Sequence, residues 1–362
     1  MQTVFICIPT LVNAGAERFA VELACNVNKH KYKAYVVVTN KLDKSTAFYA
    51  QLCREGIEVL DVSDSSYYKE FKNIRTVIKE KKPCVIHTNV GAALHMLLPV
   101  WLEGKRVVHL FTTHSMGYRI FSGVKKGIMK LAFKTKKVVP VAICDTVKAS
   151  VCDAYGLPED KVYCIYNGVD TEKFPPKQEY CSDGVTRFVS VGTLYGIKNH
   201  SMLIEAFSIV KKAVDNVKLT IVGGGELYDE LNEQIKSLGL ENDVVLAGNR
   251  SNVSDYLSEA DVYCCPSKVE GLPITVLEAM SVGLPIITTP AGGVVDIVKD
   301  GENGYIVPHG DAEEMAKKMI LFASDIGLIK EKGAVSRKEV LNYDVRICAD
   351  EYETLYERFL NR

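Results

Sequence analysis

The chain has 362 residues, 47% of them apolar and 25% charged, with a formal net charge of -1. That length is long for one core and suits two domains. The near-zero charge gives no global drive toward nucleic acid, and no apolar run is long enough to cross a membrane. The first apolar stretch, V-F-I-C-I-P, lacks a basic leader and a small-residue cleavage site, so it reads as a strand and not as a signal peptide. The 11 cysteines are odd in number and none are in C-x-x-C spacing. Several (Cys7, Cys84, Cys144, Cys264) fall inside predicted strands. Reduced thiols in the cytoplasm are the expectation, with no disulfide framework and no zinc site.

Short β-branched runs alternate with helical periodicity from the start. The predicted strands of the first half are Val4–Pro9, Ala34–Thr39, Ile57–Val62, Cys84–Asn89, Arg106–Thr112, Val138–Ile143 and Val162–Tyr166. Amphipathic stretches between them include Ala16–Asn28, Phe71–Lys81 and Ser150–Tyr155. A polar, turn-rich stretch over Val169–Gly184 reads as a linker. The pattern then repeats, with strands at Phe188–Val191, Lys218–Val222, Val244–Ala247, Val262–Cys265, Ile286–Thr289 and Tyr305–Val307. Asp311, with Glu314 three residues on, signals a helix start. From Asp325 the chain reads as helical to its end. Alternation of this kind means βαβ units and parallel sheets. The expected fold is α/β, two doubly wound Rossmann-like domains facing across a cleft. Expected boundaries are 1–168, a linker 169–184, 185–342 and a C-terminal helix 343–362. Ligands of such sheets bind outside the carboxyl ends of the strands, where Gly15, His114 and Glu270 all fall.

The most informative stretch is Glu270 to Glu278, E-G-L-P-I-T-V-L-E, a strand-to-helix loop after D-V-Y-C-C-P. Pro273 suits the first helical position. The amides of Ile274 to Val276 are expected as free donors, and Gly271 lets a ligand approach the backbone. A helix N-terminus behind a glycine is an anion site, and here two carboxylates flank it. A ligand that satisfies both has an anionic part and hydroxyls, as a sugar on a nucleoside diphosphate does.

This stretch resembles the donor-site motif of retaining glycosyltransferases of family 4, two glutamates separated by seven residues. The likeness continues through A-M-S-V-G-L-P-I-I-T-T-P-A-G-G and D-G-E-N-G-Y-I-V. The resemblance implies the GT-B fold, whose last helix commonly packs back on the first domain, as Tyr343–Leu360 would. It implies that Glu270 faces the donor sugar with His114 opposite, and that Glu278 binds the ribose hydroxyls. The donor-side loop then comprises Gly271, Leu272, Pro273 and Ile274. It implies a donor-side role for Gly15, in L-V-N-A-G-A-E-R-F, although Ala14 stands where the family has its first glycine. The family's diphosphate clamp pairs an arginine with a lysine five residues later. Lys198 matches the lysine, and Thr193 stands at the arginine position. Arg250, beside Asn249 in the A-G-N-R loop, is a candidate replacement cation, and a surface arginine is the equal alternative. Gly223–Gly224–Gly225 is a tight turn and not a dinucleotide fingerprint, because Tyr228 replaces the third glycine. No Asp-x-Asp occurs, so no metal is expected on the diphosphate.

The expected function is a retaining glycosyltransferase that moves a sugar from a nucleotide-diphosphate donor, a UDP-sugar by resemblance, to an acceptor hydroxyl, with no cofactor. The acceptor is a saccharide or lipid-linked saccharide in bacterial surface polysaccharide or glycolipid synthesis, and no nucleic acid is a partner. A nucleotide-sugar epimerase or hydrolase, which needs no acceptor, and an exported two-domain solute-binding protein are the alternatives. Gly117–Lys137 is basic without an acidic residue. As one helix it carries an apolar stripe (Phe121, Val124, Ile128, Leu131) and, far around it, Lys126, Lys130, Lys134 and Lys137. An ordinary core-packed helix with a solvated basic face is one reading. Attachment of Lys126, Lys130 and Lys134 to an anionic membrane is the other. It would put the enzyme in the cytoplasm, at the inner face of the membrane.

Overall fold

The computed structural model describes residues 1–12, 14–104 and 107–361. The first compact unit comprises Met1–Gly168 and Val345–Arg362, the second Val169–Asp344. The first runs β1 (Gln2–Ile8), α1 (Gly15–Asn26), β2 (Tyr32–Val38), α2 (Ala47–Arg54), β3 (Glu58–Asp61), α3 (Tyr67–Lys81) and β4 (Val85–Asn89). It continues with α4 (Ala92–Leu102), β5 (Val108–Thr113), α5 (Gly117–Ile120), α6 (Gly123–Lys134), β6 (Val139–Ala142), α7 (Asp145–Tyr155) and β7 (Tyr163–Cys164). The second runs β8 (Thr186–Val191), α8 (His200–Ala213), β9 (Val217–Val222), α9 (Tyr228–Ser237), β10 (Val244–Gly248), α10 (Val253–Glu259) and β11 (Val262–Cys265). Then come α11 (Ile274–Val282), β12 (Ile286–Thr288), α12 (Val294–Ile297), β13 (Gly304–Ile306), α13 (Ala312–Ser324) and α14 (Ile326–Val340), and the chain ends with α15 (Val345–Leu360) of the first unit. Each predicted strand exists, with ends moved by a few residues; Arg106, the expected start of the fifth, lies outside the described residues.

Both sheets are parallel throughout their named pairs. The first has order β3-β2-β1-β4-β5-β6-β7, the second β10-β9-β8-β11-β12-β13. The order therefore reverses beside β1 and β4 in one unit and beside β8 and β11 in the other. Such reversal points leave a crevice at the strands' carboxyl ends. Buried strands of this kind read as continuous β-branched runs because helices cover both faces. Phe5, Cys7, Val37 and Ile86 meet Ile74, Ile78 and Met96 of α3 and α4 in the first unit. Phe188, Leu219 and Ile221 meet Phe207, Met315 and Met319 in the second. The Asp311 cap forms as its spacing predicts, its carboxylate accepting from Glu314 N at 2.9 Å.

The last helix, α15, belongs to the first unit, and buried hydrogen bonds fasten it. His87 of β4 bonds Tyr356 Oη through Nδ1 at 2.8 Å and Thr112 Oγ1 through Nε2 at 2.6 Å, and Thr112 meets Tyr352 Oη at 2.9 Å. Burial, then the nearby His114 and His109, pushes the His87 pKa down to about 3, so the ring is neutral at physiological pH. The turn-rich segment expected as a linker lies in the second unit. Lys177 and Asp261, both buried, pair at 3.0 Å, and Tyr180 Oη donates to the Gly283 carbonyl at 2.7 Å.

The basic stretch departs from expectation. It is two helices, α5 and α6, with a break at Phe121–Ser122. The face of α6 turned to the core carries Met129, Ala132 and Phe133, while Val124 (80% exposed), Ile128 (44%) and Leu131 (65%) look outward. The stripe chosen by periodicity is thus on the wrong side, because α6 has apolar residues on both faces. The basic stripe is also not uniformly free. Lys126 lies half-buried with Nζ 5.7 Å from the Tyr155 ring centroid, and half-buried Lys130 reaches toward Gly156 at the end of α7. Lys134 is exposed as expected.

Candidate active site

In the second unit, the loops after β8 and β11 flank the strand-order reversal; they carry Thr193, Lys198 and Glu270, and the helix that follows the second loop carries Glu278. Lys198 Nζ bonds Glu270 Oε1 at 2.7 Å, and Ser267 Oγ donates to the same oxygen at 2.6 Å. Glu270 is 11% and Lys198 25% exposed in their side chains. Burial, the largest single influence, draws the Lys198 pKa down, but the charge of Glu270 and its hydrogen bond together outweigh it and the net shift is upward, so the lysine stays cationic. Ser267 was not legible as a partner; the signal was its place three residues before Glu270.

Helix α11 follows at once. It is buried on nearly every side, consistent with its run of Ile, Val, Leu, Ala and Met, and Glu278 within it is 1% exposed. Pro273 is the cap and not the first helical residue; its ψ of 114° is extended. Its carbonyl accepts from Val276 N at 3.1 Å, so of the three amides expected to be free, that of Val276 is already used. Leu272, Pro273 and Ile274 are buried, and Gly271 before them is half-buried. Tyr263 Oη, 2.8 Å from Thr275 Oγ1 and 3.2 Å from the Val191 carbonyl, ties the head of α11 to β8.

Two glycine turns hold these loops. Gly292 has φ +60°, and a Cβ there would stand 2.1 Å from the Glu270 carbonyl oxygen. Gly293 N donates to the Gly271 carbonyl at 2.6 Å, so the P-A-G-G turn after β12 braces Glu270 from behind. Gly223 has φ +148°, and its Cβ would lie 1.9 Å from the Gly192 carbonyl oxygen. The triple glycine is therefore where two loops pack: Leu194 N donates to the Gly224 carbonyl at 2.9 Å. Asn249 also lies against Gly224. Thr193, Asn249 and Arg250 are exposed.

The remaining site residues lie in the first unit. Gly15 opens α1 after β1, exposed, with nothing within 4 Å of where a side chain would stand. His114 follows β5, half-buried, its Nε2 2.9 Å from Asn89 Oδ1 and its ring 4.8 Å from that of Phe19. Burial pushes its pKa down to about 3. A cation paired with a carboxylate at a helix head suits an anion bound beside hydroxyls.

Residues 13–173 match the family model "Glycosyltransferase Family 4", and residues 175–333 match "Glycosyl transferases group 1". An uncharacterized glycosyltransferase of Haemophilus influenzae is 26% identical over 79% of this chain and 80% of its own. The Escherichia coli UDP-Gal:alpha-D-GlcNAc-diphosphoundecaprenol alpha-1,3-galactosyltransferase is 26% identical over 94% of this chain and 89% of its own. The crystal structure of Anabaena HepE in complex with UDP and glucose superposes with a TM-score of 0.85 at 19% identity, covering 99% of this chain and 100% of that one. The chain is a glycosyltransferase of the GT-B fold. Within that class it is a family 4-like glycosyltransferase, as its two matched halves together indicate.

Proposed function

We propose that the enzyme transfers a sugar, with retention of configuration, from a UDP-sugar to an acceptor hydroxyl in bacterial surface polysaccharide or glycolipid synthesis. The observation that carries this is the Lys198–Glu270 pair at the head of α11, with Glu278 buried in the same helix. Burying a carboxylate costs stability, which argues for a use beyond packing, here the ribose hydroxyls. Lys198 and the amides after Gly271 stabilise the leaving diphosphate as its charge grows, and Glu270 and His114 contact the sugar. The acceptor oxygen bonds to the anomeric carbon on the face the diphosphate leaves. The carbon–phosphate oxygen bond breaks, and the departing phosphate oxygen takes the acceptor's proton. The Escherichia coli relative's lipid-linked acceptor and the UDP bound by the Anabaena protein support this choice of substrates. The epimerase, hydrolase and solute-binding readings gain no support from these matches. A panel of UDP-sugars with free and lipid-linked saccharides tests the proposal. Acceptor-dependent UDP release is expected, with a product of the donor's anomeric configuration by proton NMR. An inverted product or acceptor-independent turnover would overturn it.

We further propose that α6 attaches the enzyme to an anionic bilayer at the cytoplasmic face, near a lipid-linked acceptor. The outward Val124, Ile128 and Leu131, with exposed Lys125, Lys134, Lys136 and Lys137 nearby in sequence, support this better than a purely basic stripe does. Each basic residue near an anionic surface contributes about 1 kcal/mol, and an apolar face adds a salt-resistant part. In co-sedimentation with phosphatidylglycerol vesicles, salt should remove part of the binding. Changing Val124, Ile128 and Leu131 to Ser should remove the remainder. Absence of binding at low salt would make the face ordinary surface.

A further inference from the structure

Asn89 ends β4 with a fully buried side chain, next to Thr112 of β5 in the sheet register. Its Nδ2 lies 3.2 Å from the main-chain carbonyl oxygen of Cys7 in the neighbouring β1. A carbonyl oxygen only accepts, so the amide nitrogen must face Cys7, and the orientation of the Asn89 amide is set. The other end, Oδ1, then meets His114 Nε2 at 2.9 Å. An amide oxygen has no proton to give, so the hydrogen of this bond sits on Nε2. In a neutral imidazole the lone pair is then on Nδ1. That ring is held a second way, by the Phe19 edge at 4.8 Å and 61°. Asn89 is the one hydrogen-bond partner of His114 among the described residues, so Nδ1 is left for something else.

We propose that Asn89 is a positioning residue that fixes His114 in its Nε2–H tautomer and so presents Nδ1 as a hydrogen-bond acceptor for a hydroxyl of the donor sugar. This rests on the reading of His114 as a sugar-contacting group. The chemical consequence is specific. An acceptor nitrogen selects a sugar that carries a free hydroxyl at the contacted carbon, and it discriminates against the deoxy or O-methyl analogue, which has no proton to offer. The opposite tautomer would present an N–H and tolerate the O-methyl analogue. His114 then orients the sugar and donates no proton during transfer.

The tautomer is measurable without any substrate. Long-range proton–nitrogen correlation spectra of the histidine-labelled protein, with His114 assigned from the His114→Gln difference, are expected to show Nε2 protonated and Nδ1 unprotonated from pH 6 to 8. Asn89→Ala should give a mixture of tautomers and lower kcat/KM about 5- to 10-fold, the size of one hydrogen bond lost. A protonated Nδ1, or a charged ring, in the wild-type protein would overturn the inference whether or not the variant folds. If the tautomer is as expected but His114→Ala turns over normally, the sugar-contacting reading fails instead, and the two failures are distinct.

Discussion

Lys198→Ala is expected to lower kcat by roughly 10²–10³-fold, the cost of removing one preorganised group that meets developing charge. The family pairs this lysine with an arginine, but Thr193 occupies that place, exposed, and Arg250 is exposed as well. Lys198 is the cation held in the site, 2.7 Å from Glu270. Its loss would remove the charge proposed to face the diphosphate and leave Glu270 without the cation paired with it. An exposed ion pair is worth little, whereas breaking a buried one by removing a partner costs several kcal/mol; this pair, mostly withdrawn from water, lies nearer the second case. Lys198→Arg should recover part of the rate and Thr193→Arg should be tolerated. Steady-state assay at saturating donor, with melting curves to confirm folding, decides it. Near-normal turnover of Lys198→Ala would place diphosphate stabilisation elsewhere.

Gly292→Ala should damage the site through the backbone. At φ +60° an L side chain is strained by about 1–2 kcal/mol. The added Cβ would also collide with the Glu270 carbonyl oxygen at 2.1 Å, an atom that cannot swing away as a flexible side chain would. Overpacking of this kind costs about 1–3 kcal/mol. In a unit of this size the sum lowers Tm by roughly 5–15 °C. Turnover should fall further than stability, by about 10²-fold, because relief of the clash moves Glu270. Gly239→Ala is the control: its φ is +68° but nothing lies within 4 Å of the new Cβ. It should show a smaller fall in Tm and unchanged kcat. Equal effects of the two substitutions on kcat would mean that Gly292 does not brace Glu270.

The strands were legible because parallel strands under helices on both faces are mostly apolar, and the short buried runs V-Y-C-C (Val262–Cys265) and I-I-T (Ile286–Thr288) fit that pattern. Helix α4 was not, since A-A-L-H-M-L-L-P-V-W-L is apolar all round and contains Pro99, so it has no clear stripe. Helix α6 failed for a related reason: two apolar faces compete, and periodicity alone cannot say which one the sheet covers. The separate parts of the site were readable, with Glu270 and Glu278 in one motif and Lys198 in another. Their contact was not, because it joins residues 72 apart in sequence. Asn89 and His87 left only a faint sign, the polar H-T-N that closes an otherwise apolar strand.

Where the donor sits is tested most directly by steady-state kinetics of Glu270→Ala and Glu278→Ala with the same donor and acceptor. Ribose contacts persist unchanged from ground state to transition state, so Glu278→Ala should raise donor KM with little change in kcat. Glu270, proposed to meet the sugar as it transfers, should lower kcat by roughly a hundredfold when removed, with a smaller change in KM. The reverse pattern, kcat lost at Glu278 and only KM raised at Glu270, would contradict the site described for this enzyme.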